Sequence, residues 1–289
     1  MSQALLVKEL RDRTGAGFLD CKNAIEASNG DIESAIAWLQ ERGAAKAAKK
    51  AGAIAADGVI GIKNNGNKTV IYEVNSQTDF VAENDQFKEL VEKIGSALVG
   101  GSFNNIEEAN QIIVDGKTIS DLCVEATATI GEKIVVRRAE LFEAQEGQKI
   151  GAYLHVNKKV AAILITEGGD EEAARNVAMH IASMNPQFLD ETSVPEDQLA
   201  KMKSEISESE TIQSRPENIR ENIALGMLRK KLSELTLVDQ EFVMDKMPVK
   251  KYLEQSGAIA KKMIRFEVGE GIEKTEVDFA AEVAAQMAG

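Results

Sequence analysis

The feature that most constrains the fold is a strand hairpin, a polar turn and an amphipathic helix, which occur in this order twice, about 90 residues apart. In the first copy, apolar alternation predicts strands at residues 59–62 and 69–74 around an Asn- and Gly-rich turn, and a helix at about 85–99 follows. In the second copy, strands at 150–156 and 160–166 precede another amphipathic helix. The chain is therefore predicted to be α+β, with two related subdomains that each have an antiparallel sheet covered by helices.

Helical segments flank and interrupt this predicted core. Three short segments within residues 3–52, separated by glycine turns, are similar to a ubiquitin-associated-like three-helix bundle, a fold that binds proteins. Residues 44–52, rich in Ala and Lys but without an apolar face, predict a partly helical linker. The charged stretch at about 190–233, interrupted at Pro216, predicts a protruding helical-hairpin (coiled-coil) arm, which can be purely structural or a contact surface. A terminal helix is predicted at 278–285.

These segments predict four domains. They are a ubiquitin-associated-like helical domain with its linker at 1–54, a core N-subdomain at 55–145, a core C-subdomain with the arm at 146–268, and a C-terminal helical module at 269–289.

Charge and composition favour a protein partner in the cytoplasm. The 289 residues include 47 acidic and 34 basic side chains, a formal charge of −13, which disfavours direct binding to nucleic acid or to an anionic membrane. The first residues lack the features of a signal peptide, and no apolar stretch is long enough to span a bilayer. Two distant cysteines do not form a disulfide framework, so we expect a reduced, cytoplasmic protein.

The sequence contains no pattern typical of catalysis, metal binding or cofactor binding. The two histidines, His155 on a predicted strand and His180 on a predicted helix, have no other ligand at metal-binding spacing. Phosphate-binding loops and nucleophile elbows are also absent. We therefore expect a binding protein that makes or breaks no covalent bonds and holds no cofactor.

The polar turn at residues 75–82 is the strongest candidate for a binding element. Between a strand and a helix, it can present Phe80 outward as an apolar wedge with Asp79 at its base. In the alternative, Ser76 caps the helix, Asp79 completes a capping box and Phe80 packs under the helix. Phe18 and Leu19, which follow another glycine turn, can likewise be bundle core or exposed contacts.

Six motifs, spread from the first helix to the late strand, carry a resemblance to a known family. They are TGAG at 14–17, DCK at 20–22, NGD at 29–31, KAAKK at 46–50, TDFVA at 78–82 and IRFEVGEG at 264–271. In this order they resemble the translation elongation factor Ts family. The resemblance implies a guanine-nucleotide exchange factor that binds elongation factor Tu in its GDP-bound and nucleotide-free states. It leaves open a homodimer or a heterotetramer with Tu.

The resemblance also implies which residues contact the partner. Asp79 and Phe80, with Thr78 and Val81, would enter the GTPase domain of Tu near its magnesium and phosphate site. The remaining implied contacts are Arg11, Phe18, Leu19 and Lys22 in the bundle, the neighbouring Ile130 and Gly131, His155 toward the third domain of Tu, and Val243 and Met244. The family motif often has Cys at the position of Ser76 and Lys at the position of Asn23, and the second difference leaves the bundle's charge contact open. An adaptor or ribosome-associated chaperone and an enzyme without a visible catalytic pattern are the rival interpretations.

Overall fold

Helices and antiparallel sheets make up the part of the chain that the computed structural model describes, residues 2–273, and the predicted α+β class is confirmed. The predicted helix at 278–285 lies outside these residues, as does most of the predicted C-terminal module. The chain divides into two compact units. The first contains the described residues up to Val59, Tyr72–Glu140 and the described residues from Val268 onward, and the second contains Ile60–Ile71 and Leu141–Glu267.

The first unit begins with three helices around one apolar cluster: α1 (Gln3–Thr14), α2 (Phe18–Ala27) and α3 (Ile32–Lys50). Gly15 ends α1 in the left-handed conformation with φ +65°. Asp31 caps α3 by accepting a hydrogen bond from the Ser34 amide at 2.8 Å. The buried residues of the cluster are Val7, Leu10, Ala16, Cys21, Ala24, Ile25 and Ala35.

Helix α3 continues to Lys50, so residues 44–50 of the stretch predicted as a partly helical linker are helical, and their side chains are exposed apart from the half-buried Ala47. One close contact of α3 lies just before this stretch. A Cβ added at Gly43 would lie only 2.9 Å from the Cβ of Ala128, which belongs to a later helix of the same unit. Glycine and alanine permit this close approach but bury little area, and a search for large apolar residues therefore misses this contact.

A three-stranded sheet has the strand order β1-β2-β5. Its strands are β1 (Asp57–Asn65), β2 (Lys68–Ser76) and β5 (Val135–Glu143). Between β2 and β5 lie α4 (Asp79–Ala82), α5 (Asp85–Gly100), α6 (Ile106–Asn110), β3 (Ile113–Val114), β4 (Lys117–Thr118) and α7 (Ile119–Ile130). The sequence pattern correctly predicts β1, β2 and α5. The β3–β4 hairpin has two residues per strand, which is too short to produce a detectable alternation.

Tyr72 fixes α5 against β2. Its ring is fully buried, and its hydroxyl donates a hydrogen bond to the carbonyl oxygen of Val91 at 3.0 Å. Burial raises the pKa of this phenol well above its ordinary value. A Cβ at Gly95 would lie 2.1 Å from the phenolic oxygen, so the ring occupies space that only glycine leaves open. The strand and the helix that flank the turn at residues 77–84 are therefore tightly joined.

A buried carboxylate holds the end of the described chain against β2. The Glu73 side chain accepts hydrogen bonds from the Gly269 amide at 2.9 Å, from Arg137 at 3.2 Å and from Arg138 at 2.5 Å. Burial alone would raise the pKa of Glu73, but the Gly269 amide and the Arg138 charge outweigh it, and this pKa is lowered. Gly269 has φ +74°, and a Cβ there would lie 2.3 Å from the carbonyl oxygen of Ala56. The turn that begins at Gly269 therefore requires glycine.

The second unit contains an antiparallel sheet of order β6-β7-β8, formed by β6 (Gln148–Leu154), β7 (Val160–Glu167) and β8 (Ile259–Glu267). Helix α8 (Glu171–Met184) packs closely on it, because a Cβ at Gly151 would lie 2.0 Å from the backbone of Ala174. The predicted second copy of hairpin, turn and helix is therefore present. Its buried center includes Ala162, Leu164, Val177, Ala178 and Ile181.

The remaining helices of the second unit are α9 (Glu196–Glu208), α10 (Glu210–Gln213), α11 (Glu217–Leu235) and α12 (Val249–Gln255). α9, α10 and α11 share an apolar cluster, and Lys231 of α11 forms an ion pair with Glu205 of α9 at 2.9 Å. The buried residues of this cluster are Val194, Met202, Ile206, Ile212, Leu228 and Leu232. Within residues 2–273, no helix is long and apolar enough to cross a membrane.

Candidate functional site

Phe80 stands on a one-turn helix with most of its side chain in solvent. The exposed fraction of Phe80 is 84%, whereas the next two residues, Val81 and Ala82, are buried. Successive residues of a helix point about 100° apart, so a single turn can bury two side chains and expose the preceding one. Asp79, also exposed, begins the turn. The turn thus presents an aromatic ring beside a carboxylate.

The alternative in which Ser76 caps the helix and Phe80 packs beneath it is wrong. Ser76 is the last residue of β2, and its hydroxyl donates to the carbonyl oxygen of Thr78 at 2.8 Å. Thr78 is the N-cap of α4, but its side chain makes no capping hydrogen bond. Asn84 caps the following helix by accepting a hydrogen bond from the Phe87 amide at 3.2 Å.

The Thr78 hydroxyl has another partner, the carboxylate of Glu132. One carboxylate oxygen accepts this hydroxyl at 2.8 Å, and the other accepts the backbone N–H of Thr78 at 2.9 Å. Glu132 follows Ile130 and Gly131, where α7 ends with Gly131 in the left-handed conformation at φ +90°. Two sequence-predicted contact segments, 78–81 and 130–131, are therefore brought together by a residue that the sequence does not single out.

Gln77, just before Thr78, and Lys133, just after Glu132, add further hydrogen bonds to this junction. The side-chain oxygen of Gln77 accepts the backbone N–H of Lys133 at 2.9 Å. The Lys133 ammonium in turn donates to the carbonyl oxygens of Ala51 at 2.7 Å and Ala53 at 3.0 Å, just beyond α3. The turn that carries Phe80, the end of α7 and the end of α3 are thus linked by hydrogen bonds within the first unit.

The predicted bundle contacts are on the surface of the first unit. Phe18 and Leu19, at the start of α2, are 61% and 66% exposed, so the core interpretation of these two residues is wrong. Arg11 and Lys22 are exposed as well. A cleft of about 470 Å³ has Arg11, Phe18 and Gln86 in its lining. The Gln86 amide donates to the Gly15 carbonyl oxygen at 3.2 Å and so joins α5 to the bundle.

In the second unit, His155 lies in the hairpin turn, one residue beyond β6, and not on the strand as predicted. Its ring nitrogen Nδ1 is 2.9 Å from the side-chain oxygen of Asn157. The adjacent Val156 is almost completely exposed. Lys158 adopts φ +56° and its amide closes the turn by donating to the His155 carbonyl oxygen at 2.8 Å. The turn therefore presents an imidazole and an isopropyl group to solvent.

Val243 and Met244 form a second exposed apolar feature of this unit, on a turn ahead of α12. The buried ring of His180 fixes this turn: its Nδ1 accepts the backbone N–H of Val243 at 3.2 Å, and its Nε2 lies 2.9 Å from the side-chain oxygen of Gln240. This pattern requires a neutral imidazole with its proton on Nε2. Burial lowers the pKa of His180, which favours that neutral form.

Among residues 2–273, no group of three or more His, Cys, Asp or Glu side chains is arranged to hold a metal ion. The exposed groups described above are apolar side chains, a carboxylate and an imidazole on short turns, and apolar side chains and cations on the helices α1 and α2. Such groups can bind another macromolecule.

Comparison with known proteins identifies the family. The family profile described as Elongation factor TS matches residues 77–270, more than half of the chain. The chain belongs to the elongation factor Ts family. Elongation factor Ts of Mycoplasmopsis pulmonis (strain UAB CTIP) is 49% identical over 287 residues, which cover 99% of this chain and 98% of that protein. The Acholeplasma laidlawii and Spiroplasma citri proteins of the same name are 45% and 43% identical, each over 290 residues and 98% of both chains.

Membership in the elongation factor Ts family confirms the resemblance drawn from the six motifs and makes the chain a translation elongation factor. Sequence reasoning missed Gln77, Glu132 and Lys133. Their hydrogen bonds connect residues 54 and 56 positions apart, and no local pattern reveals such pairs. The one sequence feature that could have drawn attention to Glu132 is its position directly after Gly131, a predicted contact residue.

Proposed function

We propose that this chain is a guanine-nucleotide exchange factor that binds elongation factor Tu and promotes release of GDP without covalent chemistry. The exposure of the Phe80 ring, on a braced turn in a member of the elongation factor Ts family, is the observation that carries the proposal. Asp79 and Phe80, flanked by Thr78 and Val81, insert near the magnesium and phosphate site of Tu. No cofactor is needed.

The exchange is a coupling of two binding free energies. When the factor and the magnesium-bound nucleotide each distort the site that the other requires, each weakens the other by the same factor. A thousandfold loosening corresponds to about 4 kcal/mol. Burial of one Phe side chain is worth about 1.5–3 kcal/mol, so further contacts must hold Tu while the ring acts. Asp79 contributes to the loosening of the nucleotide, because its negative charge repels the phosphates and its carboxylate can act as a magnesium ligand.

The further contacts come from both units. In the first unit, Ile130 and Gly131 extend the wedge surface, and the exposed bundle residues bind a second patch of Tu, namely Arg11, Phe18, Leu19 and Lys22. In the second unit, His155 contacts the third domain of Tu, and Val243 with Met244 supplies an apolar contact. Support comes from their exposure, which is partial at Ile130, and from the hydrogen bonds that fix the His155 and Val243–Met244 turns.

The finer architecture is proposed on the same basis. The cluster shared by α1, α2 and α3 supports a ubiquitin-associated-like bundle, and the cluster shared by α9, α10 and α11 supports a helical-hairpin arm at about residues 190–233. The four domains at 1–54, 55–145, 146–268 and 269–289 remain our proposed division. We propose that the protein acts in the cytoplasm, with Tu in GDP-bound and nucleotide-free forms as its partner, alone or as a homodimer or heterotetramer.

The direct test is the release of fluorescently labelled GDP from purified elongation factor Tu. We expect the chain to accelerate release to a saturating rate, and Phe80→Ala to lower that rate by about tenfold or more, with a smaller loss of affinity. Ile113→Ala, which truncates another exposed apolar side chain of the first unit, is the matched control and should leave release unchanged. Binding to Tu without any acceleration would instead indicate an adaptor, and equal saturating rates for Phe80→Ala and the parent would reject the wedge.

A further inference from the structure

We propose that Glu132 is a positioning residue for exchange, which acts by fixing the turn that carries Phe80. The inference rests on the proposed exchange function and extends it to a residue outside the predicted contact set. The Glu132 carboxylate accepts both polar hydrogens of Thr78, at 2.9 Å from the amide nitrogen and at 2.8 Å from the hydroxyl oxygen. Thr78 directly precedes the one-turn helix Asp79–Ala82.

The turn needs such an anchor because it cannot hold its own shape. A helix of four residues is far below the length at which helices persist by themselves in water. The Thr78 side chain, which would ordinarily cap this helix, makes no capping hydrogen bond. The orientation of the one-turn helix therefore depends on the burial of Val81 and Ala82 and on the hydrogen bonds of Thr78 to the Glu132 carboxylate.

The Glu132 contact is suited to fixing direction as well as distance. Two hydrogen bonds from one residue to the two oxygens of one carboxylate define an orientation, and hydrogen bonds to a charged acceptor are among the stronger ones in proteins. The adjacent bond from the Lys133 amide to Gln77, at 2.9 Å, brings to three the hydrogen bonds between residues 77–78 and residues 132–133. Because Glu132 follows Gly131, the same contact fixes the separation between the Phe80 ring and the Ile130–Gly131 surface.

A positioning role and a purely stabilising role give different kinetics. A residue that only stabilises the fold lowers the free energy of unfolding but leaves the saturating rate of GDP release per bound complex unchanged. Substitution of a residue that orients Phe80 lowers that saturating rate. The half-saturating concentration changes little, because the other contacts mainly determine it. The effect must also disappear when the Phe80 ring is absent, because the role is exercised through that ring.

The experiment compares four full-length chains on Tu loaded with labelled GDP: the parent, Glu132→Gln, Phe80→Ala and the double variant. Glu132→Gln keeps the side-chain volume but removes the charge and turns an NH₂ group toward a donor. We expect it to lower the saturating release rate about tenfold, the factor that corresponds to 1.4 kcal/mol, with less than a threefold change in half-saturating concentration. In the Phe80→Ala background, the same substitution should change the rate by less than twofold. Glu125→Gln on α7, which removes a half-exposed ion pair with Lys117, is the matched control and should keep the parental rate.

The outcomes separate this inference from the function on which it rests. If Phe80→Ala lowers the saturating release rate but Glu132→Gln keeps the parental rate, the positioning role alone is overturned. The same conclusion follows if Glu132→Gln lowers the rate by the same factor with and without the Phe80 ring. A parental rate for Phe80→Ala overturns the wedge and this role together. Amide hydrogen exchange of the unsubstituted protein gives a test that is independent of how the variants fold: the Thr78 amide should be protected, and exchange at the rate of an open loop would refute the contact.

Discussion

At the scale of single residues, His180 decides whether the exposed turn at Val243 and Met244, a proposed contact, is held in place. Its ring is completely buried in α8, and its Nδ1 accepts the amide of Val243, so the turn that presents Val243 and Met244 depends on an unprotonated nitrogen. Protonation would replace this acceptor by a second donor facing the Val243 N–H. Burial lowers the pKa of His180 and so opposes protonation in the folded state.

This lowered pKa predicts a loss of stability in mild acid. The unfolded chain takes up a proton on this histidine near pH 6.5, while the folded protein still resists it, so the free energy of unfolding should fall as the pH drops below about 6.5 and level off below the folded pKa. Urea unfolding between pH 7.5 and 5 measures this effect. His180→Asn should remove most of the slope, whereas His155→Asn, on an exposed turn, should retain it. An unchanged slope in His180→Asn would show that other groups cause the pH dependence.

Single-residue exposure is where prediction from sequence is weakest. The pattern Ser76-x-x-Asp79 by itself favours a capping box with Phe80 buried, whereas the resemblance to the family favours the exposed ring. The outcome depends on a carboxylate 54 residues away that takes the Thr78 hydroxyl. Neither hydrophobic periodicity nor turn chemistry contains that information, because both describe neighbours along the chain.

At the scale of elements, the contact between β2 and α5 sets how firmly the Phe80 turn is held at its two ends. The Tyr72 ring lies against Gly95, where a Cβ would come within 2.1 Å of the hydroxyl oxygen, and no other residue fits without displacing the ring. The hydroxyl is itself tied to the Val91 carbonyl oxygen at 3.0 Å. The helix therefore cannot move along the strand without breaking a buried hydrogen bond.

We predict that Gly95→Ala lowers the free energy of unfolding by about 3 kcal/mol, at the upper end of the usual cost of overpacking a core. Gly100→Ala, at the last residue of the same helix, meets no atom within 4 Å and should be neutral or stabilising by about 0.5 kcal/mol, because alanine favours the helix. Denaturant titrations of the two variants provide the comparison. A Gly95→Ala protein as stable as Gly100→Ala would mean that the ring and α5 are not closely packed.

Element prediction succeeds where large apolar residues recur and fails where small ones pack. The alternation at residues 69–74 and the periodicity at 85–99 correctly predict β2 and α5. Residues 44–50, predicted as part of a partly helical linker, continue α3, and the contact of Gly43 with Ala128 just before them involves no large apolar residue that a pattern could detect. Only the three-dimensional placement of α7 reveals this contact.

At the scale of the whole molecule, the proposed exchange function requires contacts from more than one part of the chain. The ring of Phe80 contributes at most about 3 kcal/mol on burial, whereas a thousandfold loosening of GDP takes about 4 kcal/mol in addition to the binding of Tu itself. The bundle surface and the Ile130–Gly131 surface belong to the first unit, and the His155 and Val243–Met244 turns belong to the second. In our account these contacts supply the binding that allows one exposed ring to act on the nucleotide.

The most direct measurement is the ratio between two dissociation constants of the chain, one for GDP- and magnesium-saturated elongation factor Tu and one for nucleotide-free Tu, each obtained by titration calorimetry. We expect a ratio on the order of a thousand for the parent and a ratio at least about tenfold smaller for Phe80→Ala, while Ile113→Ala keeps the parental value. A Phe80→Ala chain with the same ratio as the parent would contradict the claim that this ring couples the two binding sites.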